Sequence, residues 1–467
     1  MIFGQQNIPN HVLITREGPF RGCSMSRFSI KLLMQAAAAS SLIFAIPSFT
    51  VPAVADSQIR MVRLSEVQGD VQVDRNIGQG YERAFLNLPM TQGVKLRTRN
   101  DGRAEVEFED GSTMRITPNT VIEFPQLSLR DSGVKVSTVH LQEGTAYLNF
   151  SGAKDDEFAM TFAHEKVALA QSAHLRVEMD DTTGTLAVFS GDVQVAGDSG
   201  TVAVGKNHTA TFDLTDDDRH TLAKDLEPDP FDAWDKEQNQ YHQQYASNGS
   251  SNYSPYAYGT SDLNYYGSFS NYPGYGNVWQ PYFAGAGWDP FMNGSWAYAP
   301  GFGYGWVSAY PWGWTPYHSG NWVYLPNGAW GWQPGGTYTG WNAPRIINSP
   351  THYTLPQPPT SGQGTVVVNR GPLPIQSGRS FNKMEITKNS AGLGIPRGGV
   401  KNLSQLSGTV QQQGFATAKV HSAPVGVGWW HGGYSTPGQM GGWQSASAAS
   451  ASPAGHSSGG HSGGAHH

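Results

Sequence analysis

Between residues 58 and 215, apolar and polar side chains alternate in short runs broken by turn signals. In AEVEFEDGSTMRI (104–116), Ala104, Val106 and Phe108 alternate with Glu105, Glu107 and Glu109. Asp110-Gly111 follows, a strong short-range hairpin signal. MVRLSEVQGDVQVD (61–74) sets Gly69-Asp70 between two such runs, and Asn100-Asp101-Gly102 makes another turn. The pattern recurs in VSTVHLQEGTAYLNF (136–150), KVALAQSAHLRVEM (166–179), GTLAVFSGDVQVAG (184–197) and GTVAVGKNHTATF (200–212). A period of two sends successive side chains to opposite faces. It predicts an all-β domain over 58–215, a β-sandwich or a short β-solenoid, whose sheets each keep one wet face.

The period changes after residue 228. In DPFDAWDKEQNQYHQQY (229–245), Phe231, Trp234, Gln238, Tyr241 and Tyr245 step by three and four. This predicts a short helix with Asp229 as its N-cap and Pro230 in the first position, its aromatic face packed back onto the β domain. Residues 246–276 are largely Asn, Ser, Gly and Tyr, with Asp262 as the one charge, and read as a flexible linker. Ten of the 14 tryptophans then fall between Trp279 and Trp341, at spacings of 9, 8, 10, 6, 2, 8, 8, 2 and 9. Spacings of eight to ten fit a strand and its turn, and the pairs Trp312/Trp314 and Trp330/Trp332 would each share one strand face. Residues 277–342 are therefore predicted to form aromatic β-hairpin repeats. Residues 343–467 read as a mostly disordered basic tail with one strand, Val366 to Val368.

Composition adds limits. Charged residues make up 14% of the chain and Gly 57 of its 467 residues, which favours turns and short strands. The single cysteine, Cys23, excludes an internal disulfide or a Cys-based metal site. Residues 56–344 carry 18 basic and 34 acidic side chains, a net of −16, whereas residues 345–467 carry eight basic and one acidic. At the amino end, Arg27 and Lys31 precede the apolar run Leu32 to Ile46, and Ala53-Val54-Ala55 stands before Asp56. These are the parts of a signal peptide over 25–55. Met25 is then expected to be the true start, with residues 1–24 a gene-model extension, and the protein is expected in the periplasm or outside the cell. The competing reading is an uncleaved anchor, because Leu32 to Val54 is uncharged and about long enough to span a bilayer. Once the signal is cleaved, no membrane span is expected.

Val67, Gly69, Val71 and Val73 resemble the opening V-x-G-x-V-x-V of the FecR-like domain, and GVKLRTRNDGRAEVEFEDGSTMRITPNTVIEF (93–124) resembles its core. GYGWVSAYPWGWTPYHSGNWVYLPNGAWGWQPG (303–335) resembles an uncharacterised aromatic repeat region found after FecR-like domains in secreted bacterial proteins. The best-known FecR-like proteins are membrane-spanning regulators of iron uptake with a cytoplasmic anti-sigma segment. A signal peptide stands in that place here, so the resemblance implies an envelope protein without the anti-sigma role.

Candidate chemistry is sparse. Trp312, Trp314, Trp322, Trp330, Trp332 and Tyr317 are candidate ligand-stacking residues, since aromatic rings stack on sugar C–H faces and line grooves for Pro-rich peptides. Tyr310, Tyr324 and His318 would add polar tips. The same rings can instead form a core, because each tryptophan buries roughly 150–250 Å². No Lys or Arg lies between Lys236 and Arg345, which disfavours nucleic acid. GDSG (197–200) and FAHE (162–165) are poor matches to a protease triad, and residues 197–200 read better as a hairpin turn. Asp216, Asp217 and Asp218 could bind Ca²⁺ but lack spaced oxygen ligands and read as a solvated loop; the terminal His456, His461, His466 and His467 could hold a divalent metal weakly, or be a disordered end or a tag remnant. No catalytic, cofactor-binding or metal residue is assigned. The expectation is a non-enzymatic exported binding or scaffold protein whose partner is an envelope glycan or another envelope protein. The alternative is a periplasmic sensor of FecR type.

Overall fold

A computed structural model describes residues 60–153, 156–198, 200–216, 219–246, 254–335, 338, 345–370 and 383–420. The expected signal peptide, Cys23 and the terminal histidines lie outside the described residues.

The alternating segments form two series of strands that share the long strand Lys135–Phe150. One series runs Pro89–Met90, Val62–Gln68, Arg103–Glu107, Thr113–Ile116, the carboxyl half of Lys135–Phe150, Ala173–Met179, Thr183–Ser190, His208–Asp213 and Arg219–Ala223. The other runs Glu82–Arg83, Val71–Asp74, Lys95–Thr98, Val121–Leu129, the amino half of Lys135–Phe150, Glu157–Phe162, Glu165–Leu169, Val193–Gly197 and Gly200–Val204. Leu64, Val106 and Leu148 from the first and Val73, Leu141 and Met160 from the second enter one core. Two sheets over one core is the sandwich arrangement. Gly69 makes its predicted turn at φ +65°, where a Cβ would strike the Asp101 carbonyl oxygen. The last strand, Arg219–Ala223, carries the domain past residue 215.

The expectation of one wet face per sheet fails on the first series. Its outward residues Arg63, Glu105, Glu107 and Arg115 are all buried. The physical reason is that this face is covered by the chain after residue 228. Helix α1 (Asp232–Ala246) lies on it, with Trp234, Asp235, Gln238 and Tyr241 buried. The helix begins at Asp232, later than expected, so Pro230 lies outside it; Asp229 holds the turn that leads in, accepting from the Phe231 amide at 2.7 Å and from the Tyr147 hydroxyl at 2.7 Å. Burial and these two acids, Asp229 and Asp232, push the Tyr147 hydroxyl far up, so it stays a donor. Asp229→Ala is expected to cost about 1–2 kcal/mol in urea denaturation. A loss below ~0.3 kcal/mol would mean that these two hydrogen bonds contribute nothing.

The linker expected over 246–276 is corrected over its described part. Thr260–Tyr266 is helix α2, and Gly267–Tyr272 pairs with Gly276–Pro281. Tyr258, Leu263, Tyr265 and Tyr266 are buried, and burying four large side chains opposes chain disorder. The aromatic region makes a five-stranded sheet in the order Gly267–Tyr272, Gly276–Pro281, Trp330–Gln333, Asn321–Tyr324, Arg345–Ile346. A three-stranded sheet runs Gly303–Ser308, Asn293–Ala299, Val366–Asn369. The expected hairpins are present: Asn293–Ala299 pairs with Gly303–Ser308, and Asn321–Tyr324 with Trp330–Gln333.

The expectation of a mostly disordered tail is corrected for residues 383–420. Lys383–Thr387 and Phe415–Lys419 form a hairpin around helix α4 (Leu403–Gln413). Order comes from contacts with earlier aromatic residues rather than from the segment's own composition. The short helix α3 (Thr315–His318) completes the helices of the described residues. None of these helices is long and apolar enough to cross a membrane.

Candidate functional site

Trp312, Trp314, Trp322, Trp330, Trp332 and Tyr317 are all buried, none more than 2% exposed. A stacking face must meet solvent, so these six rings form a core and not an open site. Five of them, Trp312, Tyr317, Trp322, Trp330 and Trp332, belong to one core cluster, and Trp314 packs apart from it. Trp312, Tyr317 and Trp322 share a cluster, with ring centres 5.5–6.2 Å apart. Trp312 also stacks on Tyr310 at 5.0 Å and 9°. Trp314 stacks instead on His318 at 4.0 Å and meets Tyr258. Trp330 packs on Tyr324 and Tyr353. Trp332 sits opposite both Trp279 and Trp322 in the sheet, giving a three-tryptophan rung.

The spacing argument fails for Trp312/Trp314. These residues lie in a turn before α3 and point into different clusters. Two of the polar tips, Tyr310 and His318, are also taken inward, while Tyr324 is half-buried. Tyr310 accepts from the indole of Trp288 at 2.9 Å. Burial pushes the His318 imidazole down to about 4 against a bond to the Trp314 carbonyl, so it stays neutral at pH 7.

Of the other candidates, Gly197 pairs with Gly200 as the expected hairpin end. Ser199 lies outside the described residues. His164 reaches Asp198 at 3.6 Å, with both side chains largely exposed. Asp216 pairs with Arg219, and Asp217 and Asp218 are not among the described residues.

The feature that alternation concealed is a buried charge network where the first strand series meets the later chain. Arg63 reaches Glu107 at 3.1 Å and Asp262 of α2 at 2.7 Å. Arg115 reaches Glu105 at 2.8 Å and Asp235 of α1 at 2.7 Å. Arg397 reaches Glu105 at 2.6 Å and Asp262 at 3.2 Å. His242 of α1 stands 3.0 Å from Glu105, and His174 stands 2.8 Å from Asp235. Burial pushes the Glu105 carboxyl up, but His242, Arg397 and Arg115 outweigh it and hold the group well below the usual range. Asp262 is likewise lowered, burial being outweighed by Arg397 and Arg63. Glu107 goes the other way, because burial exceeds the pull of His242 and Arg63. The sequence signal was cross-strand: Glu105 faces Arg115, and Arg63 faces Glu107. Opposite charges paired across strands mark a face that can be covered.

Glu66 lies at the margin of this network. Burial raises its carboxyl pKa against Arg397 and Arg103. A carboxyl raised in the fold adds stability below its unfolded value, ~4.3, and loses it as pH rises through the folded value. Glu66→Gln is therefore expected to raise the urea midpoint at pH 7 and to give no gain at pH 4. A lower midpoint for the variant at pH 7 would overturn this account.

Two families match the chain. The FecR protein family matches residues 94–194, and a family of unknown function, DUF6600, matches residues 260–352. No curated protein matches it. Two crystal structures, at 1.65 and 2.50 Å, of a "putative anti-sigma factor" from Parabacteroides distasonis are 17% and 16% identical to it, with a TM-score of 0.25. Each likeness covers 28% of this chain and 59% of the solved one. The chain thus carries a FecR domain followed by a DUF6600 region, the two packed together across a buried charge network.

Proposed function

We propose that the protein is a non-enzymatic binding or scaffold module of the bacterial cell envelope, exported and acting through contacts with other envelope proteins. One observation carries this reading. The aromatic residues that would otherwise stack on a glycan are buried, and the outer face of the FecR-side sheet is joined to the later chain by the ion pairs Arg63–Asp262, Arg115–Asp235 and Glu105–Arg397. Such a body offers surface loops and strand edges to partners rather than a sugar-binding face. Purified full chain is expected to crosslink to a defined protein in the envelope fraction and not to sediment with purified cell wall. Sedimentation with cell wall alone would return the glycan reading.

A second reading, a sensor of FecR type, is favoured by the match over residues 94–194. It requires that deleting the gene change the expression of other envelope genes. Unchanged transcription would dispose of it.

A further inference from the structure

The chain has 20 tyrosines and a single cysteine, so no internal disulfide can staple it. Several buried tyrosine hydroxyls are directed at acceptors of other kinds. Tyr241 donates to Asp262 at 2.8 Å, Tyr265 to the Val400 carbonyl at 2.8 Å and Tyr266 to the Ile395 carbonyl at 2.8 Å. Tyr317 donates to the Pro290 carbonyl. Tyr258 and Tyr338 differ: their hydroxyls are hydrogen-bonded to each other, although the two residues are 80 apart in the chain.

The two rings are stacked, with centres 6.0 Å apart and planes at 29°. Each is held from another side. Tyr258 meets Trp314 edge to face at 5.1 Å, and Tyr338 stacks on His318 at 5.7 Å and 14°. The backbone on either side of Tyr258 is tied to the FecR side: the Ala257 amide donates to the Glu109 carbonyl at 2.8 Å and the Gly259 amide to the Glu107 carboxylate at 3.1 Å. Tyr256 stands edge-on to both rings, 5.7 Å from Tyr258 and 4.8 Å from Tyr338. Tyr258 is buried, whereas Tyr256 and Tyr338 are half-buried and meet solvent.

We propose that Tyr258 and Tyr338 form a cross-linking site, at which oxidation by a peroxide and a haem peroxidase joins the two rings as a dityrosine. Burial pushes both hydroxyls well above their ordinary value, so each is a protonated phenol and loses its electron together with its proton. The two phenoxyl radicals pair in a carbon–carbon bond between the ring positions next to the oxygens. The hydrogens on those carbons then move to the oxygens and restore both phenols. In sum two ring C–H bonds break and one C–C bond forms. The two electrons and two protons released convert one hydrogen peroxide to two waters. Oxidation enters at Tyr338 and at Tyr256, and Tyr256 passes its share to Tyr258 through their ring contact. The bond closes residues 258–338, a segment that holds the hairpins Gly267–Tyr272/Gly276–Pro281, Asn293–Ala299/Gly303–Ser308 and Asn321–Tyr324/Trp330–Gln333. A link across a loop this long restricts the unfolded chain strongly, so it acts as a staple where no disulfide can form.

The test treats the full chain, at low concentration, with hydrogen peroxide and a haem peroxidase, and maps the product by mass spectrometry. No Lys or Arg lies between Lys236 and Arg345, so trypsin leaves both tyrosines in one fragment and pepsin is used to part them. The expected main cross-link is a peptide pair joined at Tyr258 and Tyr338, lighter than the sum by two hydrogens. Its yield is expected to fall at least tenfold in Tyr338→Phe, which keeps the ring and its stacking. A control that depends on no variant is wild type unfolded in urea before oxidation, where the 258–338 yield is expected to fall at least tenfold while other tyrosines couple. The cross-linked protein is expected to unfold at a higher urea midpoint than the untreated one, and equal midpoints overturn its role as a staple. Absence of the 258–338 pair from native wild type, an equal yield from the unfolded chain, or oxidation of Trp314 in its place overturns the site. Coupling found only between two chains, told apart by mixing ¹⁵N-labelled with unlabelled protein, overturns it as well.

Discussion

Trp312→Ala is expected to lower the stability of the protein by about 3–5 kcal/mol. Trp312 is fully buried. Its ring stacks on Tyr310 and meets Trp279 at 4.8 Å and Trp288 at 6.0 Å. Truncation removes one of the tryptophans at the centre of this cluster and leaves a cavity that neighbouring rings, fixed by their own hydrogen bonds, cannot fill. The indole of Trp279, for instance, is tied to the Leu263 carbonyl at 3.0 Å. Truncation also leaves the Ala391 carbonyl without its donor. Trp312→Phe separates the two effects: it keeps most of the ring and loses the donor, so a smaller loss of about 1–3 kcal/mol is expected. Equilibrium urea unfolding followed by far-UV circular dichroism measures both. A loss below ~1 kcal/mol for Trp312→Ala would mean that the ring faces solvent, and the stacking reading would stand again.

The sequence revealed most where a local period governed the structure. The alternation over 58–215 identified the strands, because a half-buried sheet imposes period two on its own residues. The three-four stepping of Phe231, Trp234, Gln238 and Tyr241 located α1 for the same kind of reason. Tryptophans eight to ten apart marked the hairpins around Trp296, Trp306, Trp322 and Trp330, each of which lies in a strand. Trp312 and Trp314 broke that rule because Pro311 and Gly313 set a turn there, and in a turn a spacing of two fixes no common face. Alternation places Glu105 and Glu107 on the wet face, because it reports only which side chains face the sheet's own core. It carries no information about what a distant segment lays over the other face. Burial of that face depends on Asp262 and Arg397, which lie in segments with linker and tail composition. Their order is tertiary in origin: Asp262 is held by Arg63 and Arg397, while the loop around Arg397 is held by Trp312 and two tyrosines. Composition windows cannot register such partners, since each lies more than 70 residues away in the chain or acts through a backbone carbonyl.

Asp262→Ala is the second change expected to have a large effect, again about 3–5 kcal/mol. The carboxylate stands between two buried guanidiniums, Arg63 at 2.7 Å and Arg397 at 3.2 Å, and accepts from the Tyr241 hydroxyl at 2.8 Å. Its removal leaves positive charge out of water with Glu107 and Glu105 as the remaining counter-charges. The loss therefore reflects mainly the cost of unpaired buried charge, not the net worth of the pair. Two further measurements distinguish this from simple loss of packing. First, Asp262→Asn keeps the shape and is expected to lose most of the same stability at pH 7. Second, the difference between wild type and Asp262→Asn must depend on pH with a definite sign. Arg397 and Arg63 hold the Asp262 carboxyl below its ordinary value despite burial. Its contribution is then fully present above the unfolded value, ~3.9, and disappears as pH falls through the lower folded value. The two proteins are expected to converge in stability as the pH is taken below 4. A gap that stays constant from pH 7 to the acid limit would show that Asp262 acts through shape, and that the ion pairs do not hold the FecR sheet to the rest of the chain.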